Sequence, residues 1–170
     1  RGNMERMVGR GKMSEADKET ALSRITPTLA LTDLGKTDLV IESATERETV
    51  KQAIFEDLAV KQELFRDLER VVRADCILAS NTSSIPLASI ARACDGKDRI
   101  AGLHFFNPVP LMKLVEVIRP AEASDAVIAN LMALGKRMTR VPVEVKDSPG
   151  FLVNMGGRAY TTEGLRIAHE

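Results

Sequence analysis

Short apolar runs alternating with helix-length amphipathic stretches constrain this chain more than any other feature. Six runs read as strands: "TLALT" (28–32), "TDLVIES" (37–43), "CILAS" (76–80), "RIAGLHF" (99–105), "KLVEVI" (113–118) and "VPVEV" (141–145). In the second, Leu39, Val40 and Ile41 follow one another, the pattern of a parallel strand buried on both faces. Helical patterns lie between the strands. "MSEADKETALSRI" has Ser14 as N-cap, and Val50, Ile54 and Leu58 recur at fours in a stretch from Glu46 to about Arg73. "IPLASIARAC" is a short helix with Pro86 near its start, and "ASDAVIANLMALGKRM" has Ser124 as cap and Gly135 near its end. This alternation predicts an α/β chain with a doubly wound, mostly parallel sheet covered by helices.

"KDSPG" (146–150) is a cluster of breakers, and helix restarts in "FLVNMGGRAYTTEGLRIAHE", with Gly156–Gly157 an interior weakness. The break predicts a boundary between a domain over 1–148 and the beginning of another over 149–170. A chain that starts on Arg1 and stops inside a helical pattern reads as a fragment of something longer. One local echo stands out: "VKQAIFEDL" (50–58) returns as "VKQELFRDL" (60–68), about 15 Å of extra helix at 1.5 Å per residue.

Composition removes several classes of function. Lys plus Arg equals Asp plus Glu, 24 each, so there is no bulk electrostatic footprint for nucleic acid or an anionic membrane. The apolar runs are strand-sized, too short to span a bilayer, and the charged N-terminus is no secretory signal. Cys76 and Cys94 form no CxxC and have no His at metal-ligand spacing, so two reduced buried thiols, no metal and a cytoplasmic location are expected.

Ligands of open α/β sheets sit at the carboxyl ends of the strands. Three polar segments fall there: "ATERE" after 38–43, "NTSS" after 76–80 and "HFFNP" after 99–103. His104, one of two histidines, sits between Leu103 and Phe105. The period of two puts Leu114, Glu116 and Ile118 on one strand face. A carboxylate between aliphatics is either at a solvated edge or buried with a partner, because an unpaired buried charge costs too much. An imidazole held by a carboxylate is an acid–base unit; a structural histidine and a surface glutamate fit the spacing equally. "SNTSS" offers hydroxyls and amides to a ligand, or caps a turn without one. No GxSxG elbow accompanies Ser83, so it is not read as a nucleophile. Phe105 and Phe106 read as core. Asn107, held extended before Pro108, either aims its amide into a cleft or ends a strand.

The words "DLVIESATERETVK", "ILASNTSSI", "AGLHFFNPVPLMKLVEVI" and "VKDSPGFLVN" closely resemble the NAD-dependent 3-hydroxyacyl-CoA dehydrogenase family, in the right order from about residue 5 to the end. The tail "VNMGGRAYTTEGLRI" is similar to bacterial members of short-chain or phenylacetate catabolism. The resemblance implies a Rossmann-like fold with NAD as cofactor and an acyl-CoA substrate, in a full-length homodimer of fatty-acid β-oxidation. It implies that His104 takes the proton of the 3-hydroxyl as hydride leaves C3 for the nicotinamide, with Glu116 orienting it. Ser83 and Asn107 match positions contacting substrate oxygen and nicotinamide, and Asn154 a position near the thioester.

There are two departures from the family pattern. The family's first strand and GxGxxG turn are absent, so the resemblance covers a partial Rossmann domain without its N-terminal βαβ unit, then the start of an all-helical dimerisation domain. The isolated sheet would then expose a strand edge and bind NAD poorly. Second, the family's Glu and Lys five apart near the nicotinamide ribose have two matches here, Glu46/Lys51 and Glu56/Lys61. Glu46 and Lys51 are favoured because they directly follow the strand. A non-catalytic relic of the fold, acting as a binding or structural protein, is the alternative, though it gives no reason to keep His104, Glu116, Ser83, Asn107 and Asn154 together. Dehydrogenases of free hydroxy acids usually carry a catalytic Lys in the second domain, and none follows residue 150.

Overall fold

The computed structural model describes residues 2–43 and 57–169. The chain divides into two compact units, 1–33 and 34–170.

The first unit holds helices α1 (Gly2–Gly9) and α2 (Glu15–Ser23), neither with a buried residue. Ser14 caps α2, its hydroxyl accepting from the Asp17 amide at 3.0 Å. "TLALT" is not a strand. The Thr28 hydroxyl accepts from the Ala30 amide at 3.1 Å and donates to Asp33, and the backbone then enters a 3₁₀ turn over Leu31–Lys36. Side-chain to backbone bonding of this kind competes with strand pairing, and Leu29 is left fully exposed.

The second unit is built on a five-stranded sheet: β1 (Leu39–Glu42), β2 (Ile77–Ser80), β3 (Ile100–Phe105), β4 (Leu114–Arg119) and β5 (Val141–Lys146), lying side by side in that order. Every neighbouring pair is parallel except β3–β4, which is antiparallel. Helices cover both faces. On one face, Phe65 and Leu68 of α3 (Leu58–Val71) and Leu87 and Ile90 of α4 (Leu87–Ala91) pack with Leu78, Ile100, Ile118 and Phe151. On the other, Val127, Ile128 and Leu131 of α5 (Asp125–Arg137) pack on Ala79, Ala101, Leu103, Val115 and Val117. Burying one such Leu, Ile or Phe contributes roughly 1.5–3 kcal/mol. The fold is the mostly parallel, helix-covered sheet read from the alternation, and the Rossmann-like arrangement that the resemblance implies.

Three details differ from the sequence reading or refine it. β1 is not buried on both faces: it forms the edge of the sheet, and Ile41 is 38% exposed. An apolar triplet marks strand propensity, but coverage depends on what lies beside the strand. Helix α3 begins at its own cap, Asp57, whose carboxylate accepts from the Ala59 and Val60 amides at 2.8 and 3.3 Å. The first copy of the ten-residue echo falls mostly at 44–56, outside the described residues, while the second copy supplies α3. Last, Gly102 allows β3 and β4 to close on each other: a Cβ there would stand 2.6 Å from Ile118 Cδ1 and 2.8 Å from its Cβ. Helix α6 (Val153–His169) follows Gly150 (φ 78°) and Phe151 (φ 51°) and has no buried residue.

Candidate active site

The antiparallel register sets His104 directly opposite Glu116, and Gly102 opposite Ile118. Both polar side chains therefore point to the α4 face of the sheet, where the parallel strands β1, β2 and β3 reach their carboxyl ends. His104 Nδ1 lies 2.8 Å from Glu116 Oε2, and His104 Nε2 lies 3.2 Å from Ser83 Oγ. Glu116 is fully buried and His104 3% exposed. The reading of a surface glutamate is thereby excluded. Against an ionised carboxylate, which can only accept, Nδ1 would carry the ring proton and Nε2 would present its lone pair to the Ser83 side.

Burial of Glu116 is offset by three donors. Besides His104, the amides of Leu152 and Val153 donate to Oε1 at 3.0 and 2.9 Å. Hydrogen bonds to an ionised acceptor are the strong ones, and without them a carboxylate would not stay buried. Asn154, in the first turn of α6, donates from Nδ2 to the Ser83 carbonyl at 3.0 Å. Two phenyl rings flank the imidazole, Phe106 at 4.5 Å and Phe151 at 5.7 Å between centroids. Phe106 is thus a wall of the site as well as an apolar filler. Ser83, His104, Glu116 and Asn154 are brought together. Asn107 is exposed, just beyond β3, and takes no part in these contacts; the Asn107–Pro108 peptide is cis.

A second polar network supports the same strand ends. Lys61 Nζ binds both carboxylate oxygens of Glu42, at 2.8 and 2.9 Å, and Ser80 Oγ donates to Glu42 Oε2 at 2.6 Å. All three side chains are buried. Asn81 ties three strands at their ends: its amide donates to the Glu42 carbonyl, its Nδ2 to Ser43 Oγ, and its Oδ1 accepts from the Phe105 amide at 2.8 Å. Of the two Glu/Lys pairs, Lys61 is the member whose place is described; Glu46, Lys51 and Glu56 lie outside the described residues. Glu42 and Asp147 were not singled out by sequence, and Asn81 only as part of "SNTSS", because their partners lie 19 to 60 residues away. Asp147 accepts from the Leu87 and Ala88 amides, both at 2.8 Å, and so caps α4 from just beyond the end of β5. Among the described residues no group of His, Cys, Asp and Glu could hold a metal ion, and no helix is long and apolar enough to cross a membrane.

Residues 1–148 match the model of the 3-hydroxyacyl-CoA dehydrogenase NAD-binding domain. The chain belongs to this family. The fatty acid oxidation complex subunit alpha of Psychrobacter arcticus is 46% identical over 149 residues, 88% of this chain and 19% of that one. A 3-hydroxybutyryl-CoA dehydrogenase of Clostridioides difficile is 39% identical over 152 residues, 89% of this chain and 50% of that enzyme. The crystal structure of the Escherichia coli 3-hydroxybutyryl-CoA dehydrogenase superposes with a TM-score of 0.89 at 37% identity, covering 99% of this chain and 34% of the other. The chain thus spans half or less of the length of these relatives.

The residues present fit the nicotinamide end of the family's cofactor. The small polar loop "SNTSS" closes the carboxyl end of β2, next to an imidazole whose Nε2 faces Ser83, and it is tied to β1 through Glu42 and to β3 through the Asn81 side chain. A GxGxxG turn, which would hold the pyrophosphate, is not in this sequence.

Proposed function

We propose that this domain serves the NAD-dependent oxidation of a 3-hydroxyacyl-CoA to the 3-ketoacyl-CoA, with His104 as general base. The observation that carries the reading is the buried 2.8 Å contact between His104 Nδ1 and Glu116 Oε2, with Nε2 left facing Ser83. NAD, when bound, supplies the hydride acceptor for C3. His104 Nε2 takes the proton of the 3-hydroxyl, and Glu116 holds the tautomer and offsets the charge of the imidazolium. The Ser83 hydroxyl, 3.2 Å from Nε2, orients the substrate oxygen. Asn107, Ser83, Glu46 and Lys51 are the residues assigned to the nicotinamide and its ribose, and Asn154 to the region of the thioester.

The same reading divides the chain at 148/149, into NAD-binding domain and the start of a helical domain. It places a homodimeric full-length protein in the cytoplasm, acting on small acyl-CoA molecules and on neither nucleic acid nor membrane. Zero net charge and two free buried cysteines support it.

His104→Gln in the full-length protein tests the assignment. It should lower kcat about 10²–10⁴-fold, the usual contribution of a general base, while NAD affinity stays as it was. Near-normal turnover in that variant would refute the assignment. Loss of NAD binding in the unmodified full-length protein would favour a relic of the fold.

A further inference from the structure

Phe151 combines a left-handed backbone (φ 51°) with a side chain only 1% exposed. Bulky L-residues rarely adopt that conformation. Here it follows Gly150 (φ 78°), and the two residues together reverse the chain ahead of α6. The Phe151 ring enters the core beside the imidazole. The next two peptides turn toward the sheet, and the Leu152 and Val153 amides donate to Glu116 Oε1. Either side of the turn is anchored as well, Asp147 on the first turn of α4 and Asn154 on the Ser83 carbonyl.

We propose that the turn 150–153 selects the tautomer of His104, acting through Glu116, and that Phe151 is its positioning residue. Two N–H groups converge on Oε1, so only an acceptor can occupy that place. A carboxylate satisfies them and still offers an acceptor, Oε2, to Nδ1. The ring proton therefore stays on Nδ1, and Nε2 keeps its lone pair on the Ser83 side. The inference rests on His104 being the base. It is read out without substrate or NAD, so it can fail separately from that assignment, which the turnover of His104→Gln decides.

Glu116→Gln in the full chain is the test, because glutamine has the same shape but one acceptor and one donor. With the turn in control, the Gln carbonyl takes the two amides and its NH₂ meets Nδ1, forcing the proton onto Nε2. Nitrogen-15 NMR reads the tautomer directly, and His169, the only other histidine, serves as reference. The expected result is Nδ1–H in the native chain and Nε2–H in E116Q; Nδ1–H in both would overturn the proposal. Phe151→Val in the E116Q background disfavours φ above zero. It should release the amides and restore Nδ1–H, whereas persistent Nε2–H would remove Phe151 from the role.

Discussion

Replacing Gly102 with Ala probes how closely β3 and β4 must approach for His104 to meet Glu116. The added Cβ would stand 2.6 Å from Ile118 Cδ1, 2.8 Å from its Cβ and 3.1 Å from its Cγ1. Rotating the end of the Ile118 side chain relieves the first contact but not the second, so β4 itself must shift. Overpacking of this kind costs about 1–3 kcal/mol. The lower entropy of the unfolded Ala chain offsets about 0.4–1 kcal/mol of that. A net loss of about 1–2 kcal/mol remains, which at a urea slope of about 1–3 kcal/mol/M moves the midpoint down by about 1 M. Ile118 is two residues from Glu116 on the same strand, and their partners Gly102 and His104 are two residues apart on the other. The strain therefore reaches the His104–Glu116 contact as well as stability. Urea unfolding of G102A, I118V and the double variant measures the effect. Ile118→Val deletes the atom at 2.6 Å, so the cycle should show the double variant recovering at least about 0.5 kcal/mol. Full stability in G102A, or strict additivity in the cycle, would refute the close-approach reasoning.

Asp147→Ala removes both carboxylate bonds to the first turn of α4, a helix whose own N-cap, Pro86, has no side chain to offer. A loss of about 1–2 kcal/mol is expected, a Tm lower by about 3–6 °C, with faster amide exchange at Leu87 and Ala88. Glu69 is partly buried, which would raise its pKa, but the Gly96 and Asp95 amides and Arg99 outweigh that and hold it below the usual carboxylate value. A folded value depressed below the unfolded one contributes stability above the unfolded value and loses it as pH falls through the folded one. Urea midpoints should therefore drop between about pH 5 and pH 3, and less steeply in Glu69→Gln. Burial, aided by Glu69, pushes the Cys94 thiol up to about 11. A thiol reagent at neutral pH should modify Cys94 at the rate of unfolding, so fast labelling of the native chain would contradict its burial.

Much of the framework is written locally. The strands β2 to β5 and the cap residues Ser14 and Ser124 follow from apolar runs and short-range side-chain bonds, which need only a few neighbouring residues. The candidate base and its carboxylate were also visible, because a histidine and a glutamate inside apolar strands demand an explanation. The "TLALT" segment shows the limit. Its composition suits a strand, yet Thr28 and Asp33 draw the backbone into a turn. Ile41 shows another: apolar, in a strand, and still exposed at the edge of the sheet.

By itself, then, the order of residues determined most of the segments that become strands and helices, since propensity, patterning and capping act within a few positions, and its motifs carried the resemblance to the family. Only the folded chain decided that β3 and β4 run antiparallel with His104 across from Glu116, that Lys61 pairs with Glu42, and that the amides of 152 and 153 close on the carboxylate. Those are contacts between residues 12 to 37 positions apart. Their geometry is set by how sheet, helices and turn pack together, and a buried charge persists only where that packing delivers its partners.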